Sequence, residues 1–477
     1  MIKTLLKSVR EYKLPSILCP IVMVGEAVME IIIPFLMTFI VGELESVAKG
    51  NSDAVNIKNI VFYSVLMIVC GIFAMLCGIW GGKLAAKASC GFAHNLREDM
   101  YNNLQTYSFA NIDNYSTSSL ITRITTDVSN VQMAYQMCIR MLVRAPILFI
   151  SAIIMTILIE PFMALIFGCA ALLLGIVVSI CMFRVVPYFR TMFKKYDGLN
   201  AVVQEDLTGI RVVKSYVRED REISKMKRAA GELYHYSVKA ERILVVLMPV
   251  TTLVMFMVNI TILTLGSNMY VGNINGAVSP SEIQTLIQYS AQILSGIMMV
   301  AMCLNFIVLS KGSMERICEV LNEKTTLPKP AEPVFEVADG SIDFNDVDFC
   351  YSQKSDLMVL KDISLHVKSG ETVGIIGATG SGKTSLVSLI PRLYDAAQGS
   401  VLVGGVDVRN YDLNTLRDKV AMVLQKNVLF SGTIAENPRW GDENATDEQI
   451  RFAAKQACAD EFIENLPGGY DYDLGQG

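Results

Sequence analysis

Long apolar blocks separated by charged stretches fill the chain to about residue 310, and short runs at strand spacing follow. Six blocks are long enough for a helix to cross a hydrocarbon core, which takes about 20 residues. They cover 14–41, 61–82, 142–159, 162–183, 243–271 and 283–309. Only Glu160 and Pro161 separate the third from the fourth, so these two form a tight hairpin. The stretches 96–131 and 200–239 repeat apolar residues at helical spacing, and they read as helices that carry the spans onward. From 340 the period changes. Runs at 342–349, 363–367, 372–376, 401–403 and 420–424 read as strands, and 385–390 reads as a helix. Three prolines within 324–334 mark a linker. The expected organisation is a membrane domain over 1–323, a linker over 324–339 and an α/β domain over 340–477.

Charge orients the spans. The N-terminus and the two long connections hold 21 Lys and Arg; the opposite side holds only Lys49 and Lys58. The basic side is therefore cytoplasmic, and with six spans the C-terminal domain lies there too. Composition agrees with a membrane protein, at 52% hydrophobic and 18% charged. The net charge of −5 argues against nucleic acid as a partner. The eleven cysteines show no paired spacing, which argues against a disulfide framework or a zinc site. The apolar run after the basic residues Met1 to Lys13 is too long for a signal-peptide core, so it reads as retained.

The chemistry concentrates at Gly377-Ala-Thr-Gly-Ser-Gly-Lys383-Thr384. Glycines let the backbone turn tightly, so that several N–H groups face one concavity, and the following helix adds the positive end of its dipole. Strand, glycine loop and helix is the context of a phosphate-binding loop. Lys383 is placed to reach phosphate, and the Thr384 hydroxyl to reach a magnesium ion. Tyr351 follows the first strand, where an aromatic ring suits an adenine; the plainer reading is a surface tyrosine in a turn.

Polar residues inside spans are costly and usually face protein or water. Glu26 and Glu30 share one face of the first span; Gln284, Gln288 and Gln292, with Ser295, form a stripe on the sixth. They line a substrate path, or they bond to neighbouring helices, the glutamates pairing with Arg140 or Arg144.

The whole chain resembles an ABC exporter half-transporter: six spans fused to one ATP-binding domain. Residues 120–132 and 206–219 resemble the family's two cytoplasmic loops, 377–384 its Walker A motif, and 423–437 its Q-loop region. The resemblance implies ATP and magnesium as cofactors. Tyr351, Gly377, Ala378, Thr379, Gly380, Ser381, Gly382, Lys383, Thr384 and Ser385 would bind the nucleotide. Thr384 and Gln425 would meet the magnesium, and Gln425 the attacking water. Coupling helices are expected near 111–119 and 208–217. It also implies a second half-transporter chain, identical or different with a different chain favoured, a plasma-membrane location, and a transported amphipathic small molecule, lipid or peptide.

The chain departs from the family after 470. It has no signature motif, no Walker B aspartate with its following glutamate, and no histidine after the P-loop; Gln476 stands where many exporters carry glutamate. We therefore expect a partial sequence with an incomplete nucleotide domain, able to bind ATP but not to hydrolyse it alone. The alternative is an ATP-binding, non-hydrolysing regulatory partner. An importer permease is disfavoured, because importers usually keep the ATP-binding domain on a separate chain.

Overall fold

The structure, a computed structural model, describes residues 1–48, 56–272, 278–351, 357–425 and 427–475; Lys49 and Gln476 lie outside them. It divides into two compact units, 1–107 with 115–324, and 108–114 with 325–477.

In the first unit the apolar blocks become helices α1 (Lys13–Ala48), α2 (Ile57–Gln105), α4 (Val128–Ile159), α5 (Pro161–Thr208), the pair α6 (Glu219–Val245) and α7 (Leu247–Val271), and α8 (Pro280–Asn322); α3 (Phe109–Asp113) belongs to the second unit. Among the described residues, six helical segments are long and apolar enough to span a membrane. Their outward faces carry exposed apolar side chains such as Ile68, Phe73, Leu172 and Phe183, a surface suited to lipid rather than water. Glu160 leaves helical geometry, its carboxylate accepts from the Phe162 N–H, and Pro161 starts α5, so the hairpin between spans three and four is as short as expected.

Ala27 and Ile31 of α1, Leu148 of α4, Phe167 of α5 and Tyr289 of α8 form the core of the spans. A second cluster joins Phe92, Leu96 and Met100 of α2 to Val131 of α4 and Ile317 of α8. Beside it, buried Asp127 accepts from Ser313 Oγ (2.8 Å) and from two nitrogens of Arg316 (2.7 and 2.5 Å). The connections are less continuous than their periodicity predicts. Ser108 and Ser116 cap new short helices, a π-helical turn covers Arg123–Asp127, and Gly209 separates α5 from the short helix Ile210–Ser215.

The second unit is built on an antiparallel sheet in the order β2-β1-β3-β4: β1 Ile342–Phe349, β2 Leu360–Val367, β3 Gln398–Val403 and β4 Val406–Asp407. Phe344, Val347 and Phe349 face Val401, Val403, Tyr411 and Leu416. The stretch read as a linker packs here as well. Leu327 is buried, and Val334 bridges to Tyr411.

Two strand expectations fail. Residues 372–376 and 420–424 form no strand, and Ile376 and Val423 are 99% and 88% exposed. A strand exists through its ladder partners, and among the described residues neither run has one. The expected helix at 385–390 begins earlier, as α9 (Lys383–Ser388), and Leu389 and Ile390 fall in the turn beyond it.

Candidate functional site

The glycine loop keeps its shape without a preceding strand. Gly380 (φ +83°) and Gly382 (φ +87°) are left-handed, a conformation that other residues adopt only at a cost. A Cβ on Gly382 would sit 2.8 Å from Cδ2 of Leu360, so the loop is seated on the start of β2. Nζ of Lys383 donates to the carbonyls of Gly377 (2.8 Å) and Ala378 (2.7 Å) and to Oγ of Ser381 (3.3 Å). Its ammonium thus lies inside the loop, where phosphate oxygens are natural replacements for those acceptors. Thr384 is exposed, and its hydroxyl makes no hydrogen bond among the described residues. These groups fit a nucleotide phosphate with its magnesium ion.

Tyr351 is tied to this loop. Its hydroxyl lies 2.8 Å from Oγ of buried Ser385, and its ring meets Phe349 (4.9 Å, 75°) and Tyr394 (5.2 Å, 89°) edge to face. The ring is 46% exposed and held in place, as a stacking platform requires. Gln425 is not gathered in. It sits exposed in an irregular stretch with no hydrogen bond to Thr384 or to the loop among the described residues.

Tyr394 extends the aromatic group. Its hydroxyl donates to Oδ2 of Asp113 in α3 (2.7 Å), and its ring lies 6.1 Å from that of Phe109. Burial, and then this carboxylate, push the Tyr394 phenol above its ordinary pKa. Ser108 caps α3 and its Oγ pairs with Oγ1 of Thr326 (2.6 Å), while Asn111 Oδ1 accepts from the Thr326 N–H (3.0 Å).

In the membrane unit, Arg144 of α4 draws the two glutamates of α1 together. Its Nη2 lies 2.5 Å from Glu30 Oε1 and 3.5 Å from Glu26 Oε1. Nε2 of Gln292 donates to the Glu30 carbonyl (3.0 Å). Gln288 is half-buried, Gln284 is exposed, and Ser295 Oγ turns back to the Gln292 carbonyl.

Comparison with known proteins agrees with this arrangement. Residues 16–298 match the ABC transporter transmembrane region, and residues 360–477 match the ABC transporter family. The chain belongs to the ABC transporter family. An uncharacterized ABC transporter ATP-binding protein of Mycobacterium bovis is 32% identical over 91% of this chain and 75% of its own length. An uncharacterized ABC transporter ATP-binding protein of Bacillus subtilis is 29% identical over 99% and 80%. A Mycobacterium bovis protein named as a fatty acid ABC transporter ATP-binding/permease protein is 30% identical over 79% and 58%. A membrane region and an ATP-binding region in one chain make this ABC transporter a half-transporter.

Sequence reasoning missed Tyr394 and Arg392. Arg392 is fully buried, binds Asp395 through two nitrogens (2.8 and 3.2 Å) and donates to the carbonyls of Pro328 and Arg409. Both residues fall between helix and strand, where no periodicity marks them.

Proposed function

We propose that the chain is one half of an ATP-driven exporter of amphipathic small molecules, lipids or peptides. It would sit in the plasma membrane with its N-terminus and nucleotide unit in the cytoplasm. The observation that carries this reading is Lys383, held in a glycine loop by three acceptors, in the same chain as six spans. Gly377 to Ser385 would hold the nucleotide phosphates and Tyr351 the adenine. Thr384 would meet the magnesium ion, as would Gln425 after moving towards the loop. Phosphoryl transfer from ATP supplies the free energy. It biases a two-state membrane unit only if the nucleotide binds one state better than the other. The partner is a second half-transporter, and a different chain is favoured. The fatty acid named for one relative supports an amphipathic cargo.

The test is ATP-dependent uptake of a fluorescent amphipath into inside-out vesicles, read beside photolabelling by an ATP analogue. Lys383→Ala is expected to abolish both. Undiminished labelling in that variant overturns the phosphate-loop assignment, and unchanged uptake overturns the ATP drive. Labelling of the wild type, with uptake beside a hydrolysing partner chain that survives Lys383→Ala, is what the regulatory reading predicts.

A further inference from the structure

The basic N-terminus takes no part in the nucleotide site, and the structure gives it two faces. Leu5, Ser8 and Val9 are buried, and Leu5 and Val9 pack with Phe92 and Leu96 of α2 and Ile317 and Val320 of α8. Ser8 Oγ donates to Asp99 Oδ2 (2.6 Å), and Cys318 Sγ of α8 donates to the Met1 carbonyl (3.7 Å). The other face of the short helix Ile2–Lys7 is open. Ile2 and Leu6 are exposed there, and Lys3 and Lys7, one turn apart, are exposed beside them.

The cations of this face lack counter-charges. Arg10 is paired with Glu98 and Asp99 of α2, whereas Lys3, Lys7 and Lys13 form no ion pair among the described residues. Two contacts fix their height on the spans. Cys19 Sγ of α1 donates to the Gly81 carbonyl of α2 (3.5 Å), and a Cβ on Gly91 of α2 would collide with the Tyr12 ring. Between these levels stand Lys13 on α1 and Lys83 and Lys87 on α2, all exposed. The exposed apolar surfaces of the two helices end at the same height, at Leu14 and Trp80. Lysines and an exposed tryptophan at the end of a lipid-facing surface mark the headgroup layer.

We propose that Lys3, Lys7 and Lys13 bind the phosphates of anionic phospholipid headgroups, with Ile2 and Leu6 in the acyl boundary, and that lipid held there presses the N-terminal segment onto the end of α8. Charge selects the lipid. Three unmatched cations attract an anionic surface, and a zwitterionic headgroup brings an ammonium with every phosphate. Ile2 and Leu6 select lipid over free phosphate, because only lipid removes them from water. The binding needs the spans in a bilayer and does not depend on transport.

The experiment uses the full chain in neutral detergent and follows a fluorescent phosphatidylglycerol by anisotropy. Lys3→Gln, Lys7→Gln and Lys13→Gln are each expected to weaken binding about fivefold. Lys58→Gln, at the opposite end of the same span of α2, should leave it unchanged. Phosphatidylcholine with the same label should bind less tightly than phosphatidylglycerol, and inorganic phosphate should not compete. In nanodiscs, maleimide labelling of Cys318, read by peptide mass spectrometry, should be slower with phosphatidylglycerol than with phosphatidylcholine alone. The triple lysine variant should lose that difference. Retained ATP-analogue labelling shows that each variant is folded. Equal binding of the two lipids, unchanged affinity in the lysine variants, an equal loss in Lys58→Gln, or displacement by inorganic phosphate overturns the headgroup site. Cys318 labelling that ignores lipid charge overturns the press on α8.

Discussion

Gln292 on α8 donates to the carbonyl of Glu30 on α1, the carbonyl that Pro34 leaves without its helical donor. Proline has no N–H, so residue i−4 loses its bond inside a helix. The same face of α8 makes two further bonds to carbonyls of α1. Thr285 Oγ1 donates to the Pro34 carbonyl (3.2 Å), and the Tyr289 hydroxyl donates to that of Ile31 (3.0 Å).

Gln292→Leu should strand that carbonyl, at about 1–3 kcal/mol. Its thermal unfolding midpoint in detergent should fall below those of wild type and of Gln284→Leu, whose exposed side chain is worth about 0.5 kcal/mol or less. Equal midpoints in the two variants would remove the repair role.

The two left-handed glycines of the loop should differ. A Cβ on Gly380 meets nothing within 4 Å, so Gly380→Ala costs only the backbone conformation, about 1–2 kcal/mol. Gly382→Ala adds a collision with Leu360 and with the carbonyl of Val359 at 3.2 Å. ATP-analogue affinity should fall about tenfold further for Gly382→Ala than for Gly380→Ala. The opposite order would show that seating on β2 does not shape the site.

Tyr351 offers a ring and a hydroxyl, which two substitutions separate. Tyr351→Ala should weaken ATP-analogue binding by about three- to tenfold through loss of the ring. Tyr351→Phe, which gives up only the contact with Ser385, should stay within about threefold. Wild-type affinity in Tyr351→Ala would end the stacking assignment.

Alkaline pH should expose the bond from Tyr394 to Asp113. The folded phenol has a pKa above its unfolded value of about 10. Its contribution is therefore complete below pH ~10 and is lost as pH rises through the folded pKa. The gap in unfolding midpoint between wild type and Tyr394→Phe should be open at pH ~8 and narrower above pH ~10. A gap that holds constant across that range would show that the phenol proton stabilises nothing.

The sequence made legible whatever periodicity encodes. The six spans, the Glu160–Pro161 hairpin and strand β1 at 342–349 stand where the pattern places them. Hydrophobic pattern failed where a strand depends on partners, as at 372–376, whose apolar residues lie exposed. The polar group around Arg144 was half legible. Spacing put Glu26 and Glu30 on one face and left Arg140 and Arg144 as alternatives; only packing selected Arg144. Tyr394 escaped, because a contact across 281 residues leaves no local trace, whereas α3 overlaps the coupling helix that the family resemblance placed near 111–119.

That last contact sets a timetable for synthesis. Residues 108–114 belong with 325–477, yet all of 115–324 emerges from the ribosome between them. At about 5–20 residues per second, Asp113 waits roughly 15–60 s for Tyr394. Over that interval four of the six spans are made before the second unit can close around its earliest piece. Until Tyr394 has been made, Asp113 of α3 lacks the partner that its carboxylate accepts from.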